Sequence, residues 1–458
     1  MRDSAEVAVI GGGPAGITAA YKLSENGINT TVLERDPVIG GLSKTVFHNG
    51  CYIDPGGHRF LTDNQDIRQL WERLLDAEMA ECKRNSSIFF NGRLLDYPLN
   101  VRNSVAALGT GDILSAIASY FFSHVFPIKP VITFEHLMSN RFGKKLYETF
   151  FKEYTERVIG LPCSEISADW ATDRIQDFSM GNALKHAVGI KKSDKDGIKT
   201  RTQVKAFHYP AYGPGTLWDK MAVHIKKRKS LIINNAEVVR VHLNDGEVDF
   251  LEVNIEGNKT EIKGRHYLNT MPLRELILRL LPLPDDEVAS AAHKLKYRDF
   301  ITVALIIRKI LVFDEQWIYI NNPSVKVCRL QNYKNWSASM VDDENKTCLG
   351  IEYFCFQSDE IWNLPDKDLI ELAKRELFLL FKINSEDVED GTVIRMPQAY
   401  PVYDLKYEDN VSIIMKYLNN ISNLHTMGRN GLHKYINMDH AMDMAIKVCN
   451  KIIPLIQK

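Results

Sequence analysis

The run Gly11-Gly12-Gly13-Pro14-Ala15-Gly16 constrains this chain more than any other feature. It follows an apolar stretch at residues 6–10 and opens a helix-like stretch at 14–26. Gly11, Gly13 and Gly16 fit the spacing GxGxxG, and Pro14 falls at a first-turn position, where a missing N–H costs nothing. Gly27 breaks the helical pattern, residues 29–33 read as a second strand, and Glu34 closes that strand. Strand, glycine turn, helix, strand and acid are the parts of a dinucleotide site. One glycine makes the tight turn, one lets backbone N–H groups approach a pyrophosphate, and one lets the helix pack against the strand. The helix start at Pro14 and Ala15 offers unpaired donors and partial positive charge to the anion, while Glu34 accepts from a ribose diol.

The next segment, Arg35-Asp36-Pro37-Val38-Ile39-Gly40-Gly41-Leu42-Ser43, brings a second glycine pair within reach of the same pyrophosphate. With Glu34 it resembles the second segment of glutathione-reductase-type flavoproteins of the amine oxidase and protoporphyrinogen oxidase group. The resemblance implies FAD, with Glu34 at the adenosine ribose and Gly40-Gly41 along the diphosphate, flanked by Arg35 and Ser43. Leu42 stands where that group carries an arginine, which removes one phosphate contact. At the far end, residues 428–439, GRNGLHKYINMD, resemble the group's C-terminal FAD motif. There Gly428 and Arg429 would lie beside the flavin, and a helix starting near Met438 would point at its ring. Val238, in a β-rich stretch, is a further candidate cofactor contact.

Composition narrows the partners. The 458 residues include 57 basic and 58 acidic side chains, a net charge of −1, so nothing draws the chain generally to nucleic acid. Seven cysteines without a CxxC pair read as reduced thiols of a cytoplasmic protein rather than a disulfide framework or metal site. No uncharged apolar run reaches the ~18–20 residues of a membrane span. The nearest, residues 113–126 (ILSAIASYFFSHVF), reads as a buried or amphipathic helix, or as a peripheral contact with a membrane or a lipid-linked substrate.

Residues 67–180 read as mainly helical, 230–269 and 300–356 as strand-rich, and 367–381 and 439–456 as helices. The expected fold is α/β: a glutathione-reductase-type Rossmann domain (1–66, 200–270 and 390–458) interleaved with an α+β substrate domain (67–199 and 271–389).

Several pieces further resemble the UDP-galactopyranose mutases. GRNGLHKYINMD matches at Lys434, Tyr435 and Asp439, with His433 in place of a tyrosine. YIDPGGHRFLTDN matches at His58, with Leu61 where those enzymes have a second histidine. FFKEYTERVIGLP matches at Tyr154, with Ile159 replacing a tryptophan. LKYRDF places Arg298 where a diphosphate-binding arginine is expected, and AYPVYD offers Tyr400. Arginine and tyrosine clamp a diphosphate through directed, charge-assisted hydrogen bonds. The candidate substrate residues are therefore Tyr154, Arg174, Arg298, Tyr400 and Tyr435, with His58, Arg298 and Tyr435 as catalytic candidates. Residues 209–221, YPAYGPGTLWDKM, read as a turn and helix supporting the site. The resemblance implies chemistry at flavin N5 on a nucleotide-diphosphate or lipid-linked sugar. The alternative is an amine oxidase- or protoporphyrinogen oxidase-like enzyme that oxidises a sugar, amine or isoprenoid by hydride transfer.

Overall fold

The computed structural model describes residues 5–97, 110–172 and 206–457. Strand β1 (Ala5–Ile10), helix α1 (Pro14–Glu25) and strand β2 (Thr30–Leu33) form the expected unit. Val7, Ala8 and Val9 are fully buried, as in a parallel strand covered on both faces. Five parallel strands lie in the order Leu424–Thr426, Gly264–Asn269, β1, β2, Leu231–Ile233. One face packs on α1, the helices Gln65–Leu75 and Gly215–Lys227, and the C-terminal helix Met438–Ile456, around Trp71 and Trp218. The other face meets the strands Ala236–Asn244 and Glu247–Ile255 and the helices Leu273–Arg279, Asp286–Lys294 and Tyr407–Leu418.

A seven-stranded sheet forms the second half, in the order Val388–Pro401, Tyr297–Ile307, Thr347–Cys355, Arg329–Asn332, Trp317–Asn321, Ser86–Phe90, Arg93–Asp96. Side chains alternate between its faces with the two-residue strand period. Ile301, Val303 and Leu305 pack under the helix Asp366–Phe381. Phe300, Trp317, Phe354 and Tyr400 face the opposite way, toward the cofactor side.

Two expectations need correction. The stretch read as helical contains the strands Met79–Lys83, Ser86–Phe90 and Arg93–Asp96, too short for their alternation to stand out among charged neighbours. The expected boundaries also move. Residues 273–295 and 67–75 bury their apolar faces in the dinucleotide half, while Val388–Pro401 pairs along Tyr297–Ile307 in the other sheet. Strand pairing and shared cores, invisible in local composition, set those limits.

The helix Thr110–Val125 is inverted relative to a core helix: Ala116 is buried, whereas Leu114, Phe121, Phe122, Val125 and Phe126 are 60–70% exposed. None of the described helices is long and apolar enough to cross a membrane.

Candidate active site

A cleft open to solvent over part of its surface runs along the carboxyl ends of the parallel strands. Gly11, Gly13, Pro14, Ala15, Glu34, Arg35, Gly41, Leu42, Ser43, His58, Val238, Gly428, Arg429 and Met438 all line it. Gly16 and Gly40 are not among the lining residues and act from behind. A Cβ on Gly16 would sit 1.9 Å from the carbonyl oxygen of Gly11, so only glycine lets α1 approach the turn. Gly40 holds a φ of +104°, and a Cβ there would press on Trp218 and Lys44.

Glu34 is buried and accepts the N–H groups of Gly12 at 2.6 Å and Asp36 at 2.9 Å. Burial pushes its carboxyl above the usual range, and the two N–H donors oppose that rise. Thr270 and Met271, just past the strand Gly264–Asn269, also line the cleft, as do Glu275, Arg279 and Asn430. The readable signal was the strand end itself, because ligands of open α/β sheets sit beyond the carboxyl ends of the strands.

The donor set fits FAD. Gly13 and Gly41 bring two backbone segments so close that a Cβ on Gly41 would lie 3.0 Å from the Gly13 Cα. His58 Nδ1 and Asn430 Oδ1 are buried polar atoms with no hydrogen-bond partner among the described residues, and both residues line the cleft. Burial drives the His58 pKa down to about 3, with the Arg429 charge adding to the effect, so the ring is neutral.

The loop carrying His58 is pinned to the seven-stranded sheet. Tyr333 donates to the Asp54 carbonyl at 2.8 Å, and Thr302 donates to that of Pro55. The Asp54 carboxylate accepts from Thr45 at 2.6 Å and from the Tyr209 hydroxyl, and burial raises its pKa to about 7. Tyr209, within the segment read as support, thus performs that role.

Beside the cleft, Tyr400 and Tyr435 stack with centroids 5.8 Å apart and planes 11° apart. The Arg429 guanidinium lies 5.6 Å from the Tyr400 centroid and 4.7 Å from that of Tyr435, and donates to the carbonyls of Ile436 and Ala399. Tyr154 meets Tyr319 edge-on at 5.6 Å.

The structure does not bring Arg298 to the cleft. Its guanidinium donates to the carbonyls of Val158 at 3.2 Å and of Arg157 and Phe354 at 3.1 Å, and approaches Asp359 at 3.5 Å. It caps the end of the helix Glu153–Ile159, whose last carbonyls have no helical partner. The buried arginine that does reach Tyr400 is Arg329, at 3.3 Å from its hydroxyl, held by Glu352 beneath Trp317 and Phe354. Nothing in the local sequence marked it, because the contact depends on neighbouring strands. Arg174 lies outside the described residues.

The model of the family described as flavin containing amine oxidoreductase matches residues 14–396. The chain belongs to this family, and it is an FAD-dependent enzyme. Among individual relatives, it is similar to the carotenoid phi-ring synthase of Streptomyces griseus, 29% identical over 172 residues, covering 36% of this chain and 31% of that protein. It is also similar to a probable UDP-galactopyranose mutase of Klebsiella pneumoniae, 29% identical over 172 residues, covering 35% and 43% of the two chains. The matched stretches thus span less than half the length of these relatives. Among solved structures, a reduced UDP-galactopyranose mutase superposes with a TM-score of 0.83 at 18% identity, covering 99% of this chain and 95% of that one. A putative protoporphyrinogen oxidase from Exiguobacterium sp. 255-15 superposes at 0.74 and 14% identity, covering 98% of each. These two likenesses establish the shared fold.

Proposed function

We propose that this enzyme acts on a sugar joined through a diphosphate to a nucleotide or lipid carrier, by mutase-type chemistry rather than net oxidation. The observation that carries the reading is the Arg429 guanidinium lying over the stacked Tyr400–Tyr435 pair. An alkyl amine held between two parallel rings needs van der Waals contact of about 3.5–4 Å on each side, roughly 7 Å in all. The centroid separation of 5.8 Å is too small for that, and a cation already sits against the rings. An ammonium substrate would meet like charge, whereas an anionic one meets attraction.

When bound, FAD supplies N5 as the reacting centre. The chain's own residues bind and orient the substrate. Tyr400 and Tyr435 present hydroxyls and an aromatic surface beside the cleft, and Arg429 supplies positive potential. His58, neutral, offers a ring nitrogen for hydrogen bonding without adding charge. The exposed apolar face from Leu114 to Phe126, continuing through Ile128, Val131 and Ile132, supports a lipid carrier and a peripheral membrane contact.

The test is a titration of purified holoenzyme with UDP-sugars, oxidised and then dithionite-reduced, followed by flavin absorbance. The expected result is a perturbed flavin spectrum without bleaching of the oxidised form. Bleaching by a sugar, amine or isoprenoid would instead establish hydride transfer. Sedimentation of the holoenzyme with phosphatidylethanolamine–phosphatidylglycerol vesicles, lost in Phe121→Ser/Phe122→Ser, would favour the lipid carrier.

A further inference from the structure

Resting on that reading, we propose that Arg59 forms an anion subsite that takes the diphosphate of the substrate's carrier. Arg59 follows His58, which lines the flavin cleft, and its own side chain enters the substrate half. Its guanidinium donates to Ser86 Oγ at 2.9 Å and lies 5.5 Å from the ring centroid of Phe207 and 5.6 Å from that of Trp336. No carboxylate among the described residues comes within ion-pair distance of it.

Other arginines of this half are compensated. Arg298 has Asp359 and three carbonyls, Arg329 has Glu352, and Arg395 has Asp366 and two carbonyls. Among the described residues Arg59 uses one of its five donors on a neutral hydroxyl, in surroundings whose burial lowers its pKa. A partly desolvated guanidinium with so few partners is costly unless a ligand completes it. A second cation reinforces the field. The Arg84 charge acts on Arg59, and the Arg84 guanidinium lies 5.4 Å from the Tyr97 ring. Tyr97 packs on Tyr319 at 4.8 Å, and Tyr319 meets Tyr154 at 5.6 Å. An aromatic wall with a planar guanidinium along it suits bidentate recognition of a phosphate oxyanion attached to an apolar or ring-bearing group. A substrate whose sugar meets His58 at the flavin would direct its diphosphate to Arg59, leaving Arg298 its place in the scaffold.

The test titrates holoenzyme with inorganic pyrophosphate, UDP and uridine, read by flavin absorbance and by intrinsic tryptophan fluorescence. Wild type should bind pyrophosphate and UDP, with affinity falling as salt rises. Arg59→Gln should weaken both at least tenfold and leave uridine unchanged, and Arg59→Lys should fall between. Arg59→Lys also serves if the glutamine variant loses flavin. Equal pyrophosphate and UDP binding in wild type and both variants overturns the subsite, as does a wild type that binds neither anion. If UDP-sugars perturb the flavin but Arg59→Gln binds like wild type, the subsite fails and the proposed function stands. If Arg59 governs pyrophosphate binding but no UDP-sugar perturbs the flavin, the subsite stands and the nucleotide carrier fails.

Discussion

The two walls of the cleft are made of different material. On the dinucleotide wall the working parts are mainly backbone: glycines that let chains approach, a helix start, and one acid within residues 11–43, joined by Gly428 and the helix start at Met438. On the other wall, where the proposed function puts the substrate, they are side chains brought from far apart, with Arg329, Tyr400, Arg429 and Tyr435 meeting across three elements. Backbone sites are specified by steric exclusion, so a single added methyl at a position such as Gly16 collides with the main chain. Side-chain sites are specified by charge pairing, so their failures are graded and can be rescued by a second change.

That contrast can be broken at several points, the largest first. Gly16→Val should abolish flavin retention outright, because its Cβ would fall 1.9 Å from the Gly11 carbonyl oxygen; a yellow, folded variant would contradict the steric account. Arg329→Met should destabilise the protein by about 3–5 kcal/mol in urea unfolding, since it strands the buried Glu352 carboxylate. Adding Glu352→Gln should recover most of that loss, and no recovery would mean that packing rather than charge dominates.

Arg298→Met should cost about 3 kcal/mol of stability through its lost charged hydrogen bonds, while UDP-sugar affinity stays within about twofold. A large affinity loss with little loss of stability would return Arg298 to the site. Arg429→Met should show the opposite balance, with affinity reduced about tenfold.

The smallest effects are protonic. The native Asp54 carboxyl, raised to about 7, keeps a proton that the unfolded chain loses above about 4. Its contribution to stability therefore declines as pH rises from about 4 through 7, and Asp54→Asn should flatten that slope in unfolding midpoints. His58, lowered to about 3, runs the other way: its contribution is intact above about 6.5 and is lost as pH falls toward 3. The flavin spectrum should accordingly show no step near pH 6.5 that disappears in His58→Asn.

Much of the cofactor wall was legible. The glycines, Glu34 and the segment 428–439 announce themselves because local backbone geometry demands particular residues at fixed spacings. The substrate wall was legible only by resemblance, and there the reading of Arg298 did not transfer. An arginine at the expected place in LKYRDF turned inward, because the ended helix Glu153–Ile159 presented carbonyls that needed a donor. Arg329 and Arg59 carried no local signature at all.

By itself, then, the sequence determined the dinucleotide unit, the flavin class and the order of its main segments, since glycine spacing and apolar periodicity act over a few residues. Only the tertiary structure decided which arginines are spent on carboxylates and carbonyls and which keep few partners among the described residues. That choice depends on which carboxylates and carbonyls other strands and helices bring within reach, and no spacing along the chain encodes it.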